Sequence, residues 1–311
     1  MDQFIALKRE LNTVCPNLEL RENEPLSCHT MFRIGGPVPL MACPKTIQEA
    51  QYALKTADSF EIEPFFLGKG SNLLVSDAGA NVFVIKSVGG LEELHLEGEE
   101  ILYAGSGVSL ARAAEFAADR SLAGMEFAHG IPGSLGGAVF MNAGAYGGDM
   151  AQIVAFVDCI TRTGERQRVQ GSQLAFGYRR SVFSDETRLI LGAGLRLHPG
   201  SREEIRSRMT ELMRQRREKQ PLEYPSAGST FKRPAGYFAG TLIEQCGLKG
   251  RQVGGAQVSE KHAGFIINIG GATCEDVLRL IETVRETVFR QTGVILEPEI
   301  RTLGISFADN R

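Results

Sequence analysis

Four polar clusters in this 311-residue chain are equipped for chemistry. Phe176-Gly177-Tyr178-Arg179-Arg180-Ser181 sets two guanidinium groups beside an aromatic ring, and a guanidinium grips a carboxylate or phosphate through two parallel N–H bonds. The same pair also suits a surface strand end, where it would contribute little. Pro225-Ser226-Ala227-Gly228-Ser229-Thr230-Phe231-Lys232 leaves the Ser229 hydroxyl among small neighbours, open to a ligand as nucleophile, proton donor or turn hydroxyl. No G-x-S-x-G elbow is present and no histidine is placed as a base, so proton donation or ligand hydrogen bonding is the better functional reading. In Leu296-Glu297-Pro298-Glu299-Ile300-Arg301, strand alternation puts Glu297, Glu299 and Arg301 on one face, and charges on an internal strand need partners or a ligand. Gln257, Ser259, Lys261, His262 and Asn268 form a last polar set around an apolar run at 265–269; without a nameable partner, His262 reads as a satisfied structural residue.

Two glycine-rich stretches add an anion site. Residues 68–77 run GKGSNLLVSD and residues 125–148 run MEFAHGIPGSLGGAVFMNAGAYGG. Glycine lets main-chain N–H groups approach an anion with no Cβ in the way, and serine hydroxyls add donors. One such stretch is explained by tight turns; two feeding one domain suggest a diphosphate held from both sides. Lys69 comes too early for a P-loop, which disfavours a kinase or GTPase. No G-x-G-x-x-G joins a first strand to a helix with an acidic residue about 20 positions on, so the Rossmann pattern fails too.

These residues must be positioned by a sizeable fold. The chain is long enough for two or three domains, and its 43% hydrophobic and 23% charged content is that of a soluble globular protein. A net charge of −3 gives no reason to expect nucleic acid or an anionic membrane as a partner. The cysteines at 15, 28, 43, 159, 246 and 274 form no C-x-x-C pair and suit buried free thiols in a reducing cytosol, and the five histidines show no metal-ligand spacing, so no metal is expected. The N-terminus reads as an amphipathic helix rather than a signal peptide, and no apolar stretch approaches the roughly 20 residues of a membrane span. The expected location is the cytoplasm.

Apolar spacing predicts a helix over 46–59 with Thr46 as its N-cap, then strands at 64–67, 73–75 and 82–85, closing a first unit at residues 1–86. A second unit, 87–200, begins with strands at 94–96 and 101–104 and a helix capped by Ser109 that runs through Arg120. Strands at 153–161, 166–169 and 188–197 follow, and their alternation favours a mostly antiparallel sheet. The third unit, 201–311, opens with a strongly charged helix to Lys219, which reads as a solvated face with i,i+4 pairs and is stopped by Pro221 and Pro225. It continues with a helix at 238–246, a strand at 264–269, a long helix at 273–292 and a strand at 294–301.

Taken in order, HTMFRIGG from residue 29, GKGSNLLV, GIPGSLGGAVFMNAGAYG, YRRS, SAGSTFK, KHAGFIIN and LEPEIR resemble the UDP-N-acetylenolpyruvoylglucosamine reductases, over nearly the whole chain. The resemblance implies an α+β protein: a two-subdomain FAD-binding fold of the vanillyl-alcohol oxidase and p-cresol methylhydroxylase type, plus a C-terminal substrate domain whose last strand returns towards the flavin. It implies NADPH-dependent, non-covalent FAD chemistry that reduces UDP-N-acetylglucosamine enolpyruvate to UDP-N-acetylmuramate, with hydride from flavin N5 to C3 and a proton to C2. By the same resemblance Ser229 is the proton donor, Arg179 stabilises the enolate-like charge and Glu299 assists. FAD contacts fall on Arg33, Gly68, Gly70, Ser71, Asn72, Leu73, Pro132, Gly133, Ser134, Gly136, Gly144 and Arg301. Substrate contacts fall on Tyr178, Lys219 and Lys232, with Lys232 also a candidate to polarise Ser229. The implied partners are the UDP-sugar and NADPH, with neither nucleic acid nor membrane, and a monomer is expected.

The chain departs from many relatives in reading FKRP rather than FKNP at 231–234, which puts the Arg233 charge near the substrate. Only a short link separates Ser181 from the strand expected at 188, so the chain resembles the family variant without a tyrosine-bearing lid insertion. Two other functions stay open at this level: an FAD oxidase or dehydrogenase of the same fold acting on another alcohol or sugar, and a non-catalytic nucleotide-binding module. Covalent flavin attachment has no candidate residue beyond His129, and a binding module would not require both Ser229 and Glu299.

Overall fold

Thr46 and Ser109 cap their helices as the spacing predicts, accepting the backbone N–H of Glu49 and Arg112, so that Ile47–Ser59 and Leu110–Asp119 start where expected. The computed structural model describes residues 2–305 and 307. Two units emerge, each assembled from three stretches of chain: Met1–Glu22, Pro39–Lys69 and Val82–Arg216 make the first, and Asn23–Val38, Gly70–Asn81 and Arg217–Arg311 the second.

The first unit holds two cores. In one, Phe83–Lys86 pairs in parallel with Pro37–Cys43 and with Pro64–Leu67, the helix Ile47–Ser59 serving as the crossover that parallel strands require. Leu40, Ala50, Leu54, Phe83 and Ile85 are fully buried there beside Leu7 and Leu11 of the N-terminal helix Asp2–Val14. In the other, a five-stranded sheet runs in the order Arg166–Gln170, Val154–Thr161, Arg188–Arg196, Ile101–Gly105, Leu94–Glu97. Every pair in it is antiparallel, as the alternation predicts.

The second unit pairs Phe265–Asn268 with Ser226–Ser229 on one side and Ala256–Val258 on the other. The long helix Cys274–Thr292 buries Val277, Leu280, Ile281, Val284 and Val288 in the same core as Phe32, Ile34 and Leu74. Its N-terminus is capped twice. Thr273 and Asp276 form a capping box, and the Asp77 carboxylate accepts the N–H groups of Cys274 and Glu275 at 2.8 and 3.3 Å.

Three expectations need correction. Residues 294–301 do not form a strand: Pro298 has no N–H to donate and makes only an isolated bridge with Phe231, and the ladder begins at Arg301, where Arg301–Leu303 pairs in parallel with Leu73–Val75. The second glycine-rich stretch is not loop throughout, since Leu135–Phe140 is helical and buries Leu135, Ala138 and Val139. Of the six free thiols, Cys15, Cys159 and Cys274 are buried, but Cys28 is exposed. Among the described residues no acidic, histidine or cysteine cluster could hold a metal, and no helix is long and apolar enough to cross a membrane.

Candidate functional site

Tyr178 and Arg179 occupy the corner of a tight turn in the first unit, closed by Gly177 N–H to the Arg180 carbonyl at 2.9 Å. Arg179 has φ +55, a conformation that costs a non-glycine residue energy and persists where surroundings hold it. Two anchors do so. Asn142 donates through its amide to the Gly177 carbonyl at 3.0 Å while accepting from Ala151 N–H, and the buried Ser181 hydroxyl donates to the Phe140 carbonyl at 2.8 Å. Arg180 is drawn aside to Asp185 at 2.8 Å. What remains is the half-buried Arg179 beside the exposed Tyr178 ring, its guanidinium carbon 5.2 Å from the ring centroid. The short 3-10 turn Val182–Ser184 then leads to the strand Arg188–Arg196.

Ser229 lies in the second unit on a bulge. Ser226 pairs with Ile267 and Ser229 with Phe265, so three steps on one strand match two on the other, and Gly228 takes φ +77 to absorb the extra residue. The bulge turns the half-buried Ser229 away from simple alternation. Beyond it the chain runs beside the acidic segment: Glu299 N–H donates to the Thr230 carbonyl at 2.8 Å, and Lys232 N–H to the Glu297 carbonyl at 2.8 Å. The half-buried Glu299 is thereby tied to the residue next to Ser229, while Glu297 is exposed and takes the Lys232 ammonium at 3.1 Å. Asn72 joins the same group, donating to the Glu299 carbonyl at 3.2 Å and accepting from Arg301 N–H at 3.0 Å. Arg33 is exposed at φ +56 in a turn fixed by the Thr30 hydroxyl bonding to the Ile34 carbonyl, and Lys219 is exposed at a helix end. His262 accepts the Gly264 N–H at Nδ1, and burial holds its pKa below the ordinary value, consistent with a neutral structural role.

The glycine loops of the first unit leave hydroxyls to spare. Residues 106–110 pair with 133–136 through Leu110 N–H to Gly133, Leu135 N–H to Val108 and Gly136 N–H to Ser106. A Cβ on Gly68 would stand 2.4 Å from Ser134 Oγ and force that hydroxyl aside, and one on Gly136 would stand 2.8 Å from Ser106 Cβ, where there is no space for it. Within this cradle the Ser106 and Ser134 hydroxyls are buried and have no hydrogen-bond partner among the described residues. Buried polar groups in native proteins are seldom left so, and paired empty donors beside bare backbone suit the oxygens of a phosphate. Gly144 lies in the neighbouring hairpin, where a Cβ would meet the Gly148 carbonyl at 2.7 Å; Tyr146 and Gly147, both at positive φ, make its two-residue turn. Gly70 takes φ +59 against the His29 carbonyl, in the second unit.

Residues 38–170 match the FAD binding domain family, and residues 220–303 match the family of the UDP-N-acetylenolpyruvoylglucosamine reductase C-terminal domain. Relatives named UDP-N-acetylenolpyruvoylglucosamine reductase include one from Syntrophomonas wolfei, 46% identical over 95% of this chain and 98% of its own length. Another, from Agathobacter rectalis, is 47% identical over 93% of this chain and 95% of its own. The chain belongs to this family. The crystal structure of UDP-N-acetylenolpyruvylglucosamine reductase from Thermus caldophilus, 35% identical, superposes with a TM-score of 0.79 over 92% of this chain and 99% of that one. A 4-ethylphenol oxidase from Gulosibacter chungangensis, 14% identical, matches with a TM-score of 0.50 over 96% of this chain and 65% of that one, a likeness of fold alone. This reductase is therefore a flavoprotein built on the FAD fold that the motifs imply.

Sequence reasoning missed three residues. Ser106 lies in a short Gly-Ser-Gly step whose pairing with 133–136 is non-local. Asn142 lies inside the second glycine-rich stretch and is buried beneath the Arg179 turn. Arg216 was counted with a solvated helix face but is buried.

Proposed function

We propose that this chain performs the family's reaction, the NADPH-driven, FAD-dependent reduction of UDP-N-acetylglucosamine enolpyruvate to UDP-N-acetylmuramate in peptidoglycan synthesis, with Ser229, Arg179 and Glu299 as its catalytic residues. The observation that carries this reading is the tether of Glu299 to Thr230 beside the bulged Ser229: a proton donor and a carboxyl group are fixed together on backbone hydrogen bonds.

Bound FAD supplies the two-electron relay between NADPH and C3 of the enol ether. The Ser106 and Ser134 hydroxyls, with the backbone at Gly68 and from Pro132 to Gly136, fit its pyrophosphate, because each empty donor gains an oxygen. Gly70, Ser71, Asn72, Leu73, Gly144, Arg33 and Arg301 complete the proposed flavin contacts. Reduction at C3 raises negative charge at C2 and in the adjoining carboxylate. Arg179 meets that charge, carried on a turn that the Asn142 and Ser181 anchors hold. Glu299 assists, either by orienting the carboxyl group or as a donor to it, and Ser229 delivers the proton to C2. Tyr178 and Lys219 contact the nucleotide or diphosphate of the substrate, and Lys232 is a substrate contact and the candidate to polarise Ser229. In this reading residues 1–86 and 87–200 are the two FAD subdomains and 201–311 the substrate domain, whose last strand returns towards the flavin, in a cytoplasmic monomer.

Anaerobic mixing tests this. The purified protein should be yellow, lose its colour with NADPH, and regain it on adding the enolpyruvyl nucleotide. Recovery with oxygen alone would make the chain an oxidase of the same fold; failure to take up FAD would remove the flavin reading.

A further inference from the structure

The helix Arg202–Lys219 carries its positive charge almost wholly in solvent: Arg202, Arg206, Arg208, Arg214 and Arg217 are exposed. Arg216 is the exception. It is 9% exposed, and its Nε is buried without a hydrogen-bond partner among the described residues. No carboxylate among them pairs with it, and burial depresses its pKa, with Tyr146 the opposing influence. A buried guanidinium without a counter-charge is costly to the empty protein, and such groups persist where a ligand repays them. The neighbours say where that ligand lies. A methyl on Gly130 would stand 3.2 Å from Arg216 Cδ and 3.8 Å from Nη1, so the side chain packs against the first residue of the segment that continues as Pro132-Gly133-Ser134. His129, next in the chain, also has a buried Nδ1 with no partner among the described residues.

We propose that Arg216 supplies the counter-charge for an anionic group of the bound flavin nucleotide, gripping it against the backbone of residues 130–134. This rests on the flavin reading above. Two groups of FAD carry such charge: the pyrophosphate, and the ring system once reduced. The chemistry is the same in both, a guanidinium donating charge-assisted bonds inside a dry pocket.

Full-length wild type, Arg216→Met and Arg216→Lys are compared by titration with FAD and with riboflavin, by the flavin midpoint potential, and by thermal melting with and without FAD. The methionine variant should lose roughly 10- to 100-fold in FAD affinity, or keep it while the midpoint potential falls, and lysine should recover part of the loss. Loss against FAD but not riboflavin locates the anion at the pyrophosphate; a potential change alone locates it at the reduced ring. Without FAD, Arg216→Met should melt at or above wild type, since an unpaired buried charge has gone, and FAD should raise its melting point less. Unchanged FAD affinity together with an unchanged potential overturns the proposal. So does a flavin-free methionine variant that melts below wild type with no recovery by lysine, because that is a packing role. If Arg216→Met does not fold, Arg216→Lys decides: wild-type affinity and potential support the charge, and loss of both overturns it. Wild type that binds no FAD refutes the flavin reading instead.

Discussion

Glu299 donates its backbone N–H to the carbonyl of Thr230 at 2.8 Å, which holds the acidic segment in register with the strand end that bears Ser229. Backbone fixes this spacing, so side-chain substitutions at Ser229 or Glu299 can remove chemistry while leaving the scaffold in place.

Ser229→Ala should therefore leave flavin reduction by NADPH nearly intact and slow reoxidation by the enolpyruvyl nucleotide about 10²- to 10⁴-fold, the usual range for a lost general acid. Stopped-flow absorbance of each half-reaction separately is the measurement. Equal slowing of both would make Ser229 a ligand-placing or structural residue.

Gly228→Ala acts one step away. No neighbour lies within 4 Å of a Cβ there, but φ is +77, so the cost is conformational, about 1–2 kcal/mol. A lower melting temperature should accompany a loss of substrate-driven reoxidation, because relieving the strain undoes the bulge. Full activity at reduced stability would show that the bulge does not aim Ser229.

Ser106→Ala removes a hydroxyl that the polypeptide does not use. Stability without FAD should stay level or rise, while FAD affinity falls by about 10-fold, the worth of one hydrogen bond to a charged group. Fluorescence titration and melting curves on the same preparations report both, and an undiminished affinity would place the pyrophosphate elsewhere. Gly68→Ala, driving a methyl to 2.4 Å from Ser134 Oγ, should yield colourless protein.

His262 gives the fold a pH dependence. Its folded pKa is depressed below the ordinary 6.5 by burial, so the unfolded chain binds the proton more readily. Its contribution is complete above pH 6.5 and is lost as pH falls from there through the folded value. Denaturant midpoints of wild type should thus drop more between pH 8 and pH 5.5 than those of His262→Asn; parallel decline in the two would contradict the assignment.

Helix starts were legible where a side-chain cap announced them, as at Thr46 and Ser109, because capping is local chemistry. The strand expected at 294–301 does not form there, since Pro298 has no donor to give, and the ladder begins only at Arg301, the last residue of that stretch. Helix Leu135–Phe140 was hidden by its two glycines, whose low propensity is overridden by packing against Ser106. Ser229, Arg179 and Glu299 stood out through motifs in series, whereas Arg216 and Ser106 did not. Burial and the absence of a partner depend on chain segments far away in sequence, so a charged helix and a Gly-Ser-Gly step gave no sign of either.

The C-terminal unit borrows from upstream. Phe32, Ile34 and Leu74 belong to its hydrophobic interior and Asp77 terminates its longest helix, yet all four precede residue 82. A fragment beginning at Arg217 would leave part of that interior open and the helix without one of its caps. Chimeras between relatives that exchange only the C-terminal third should for that reason express poorly unless residues 23–38 and 70–81 travel with it. The gene cannot be spliced here as though it encoded two beads on a string.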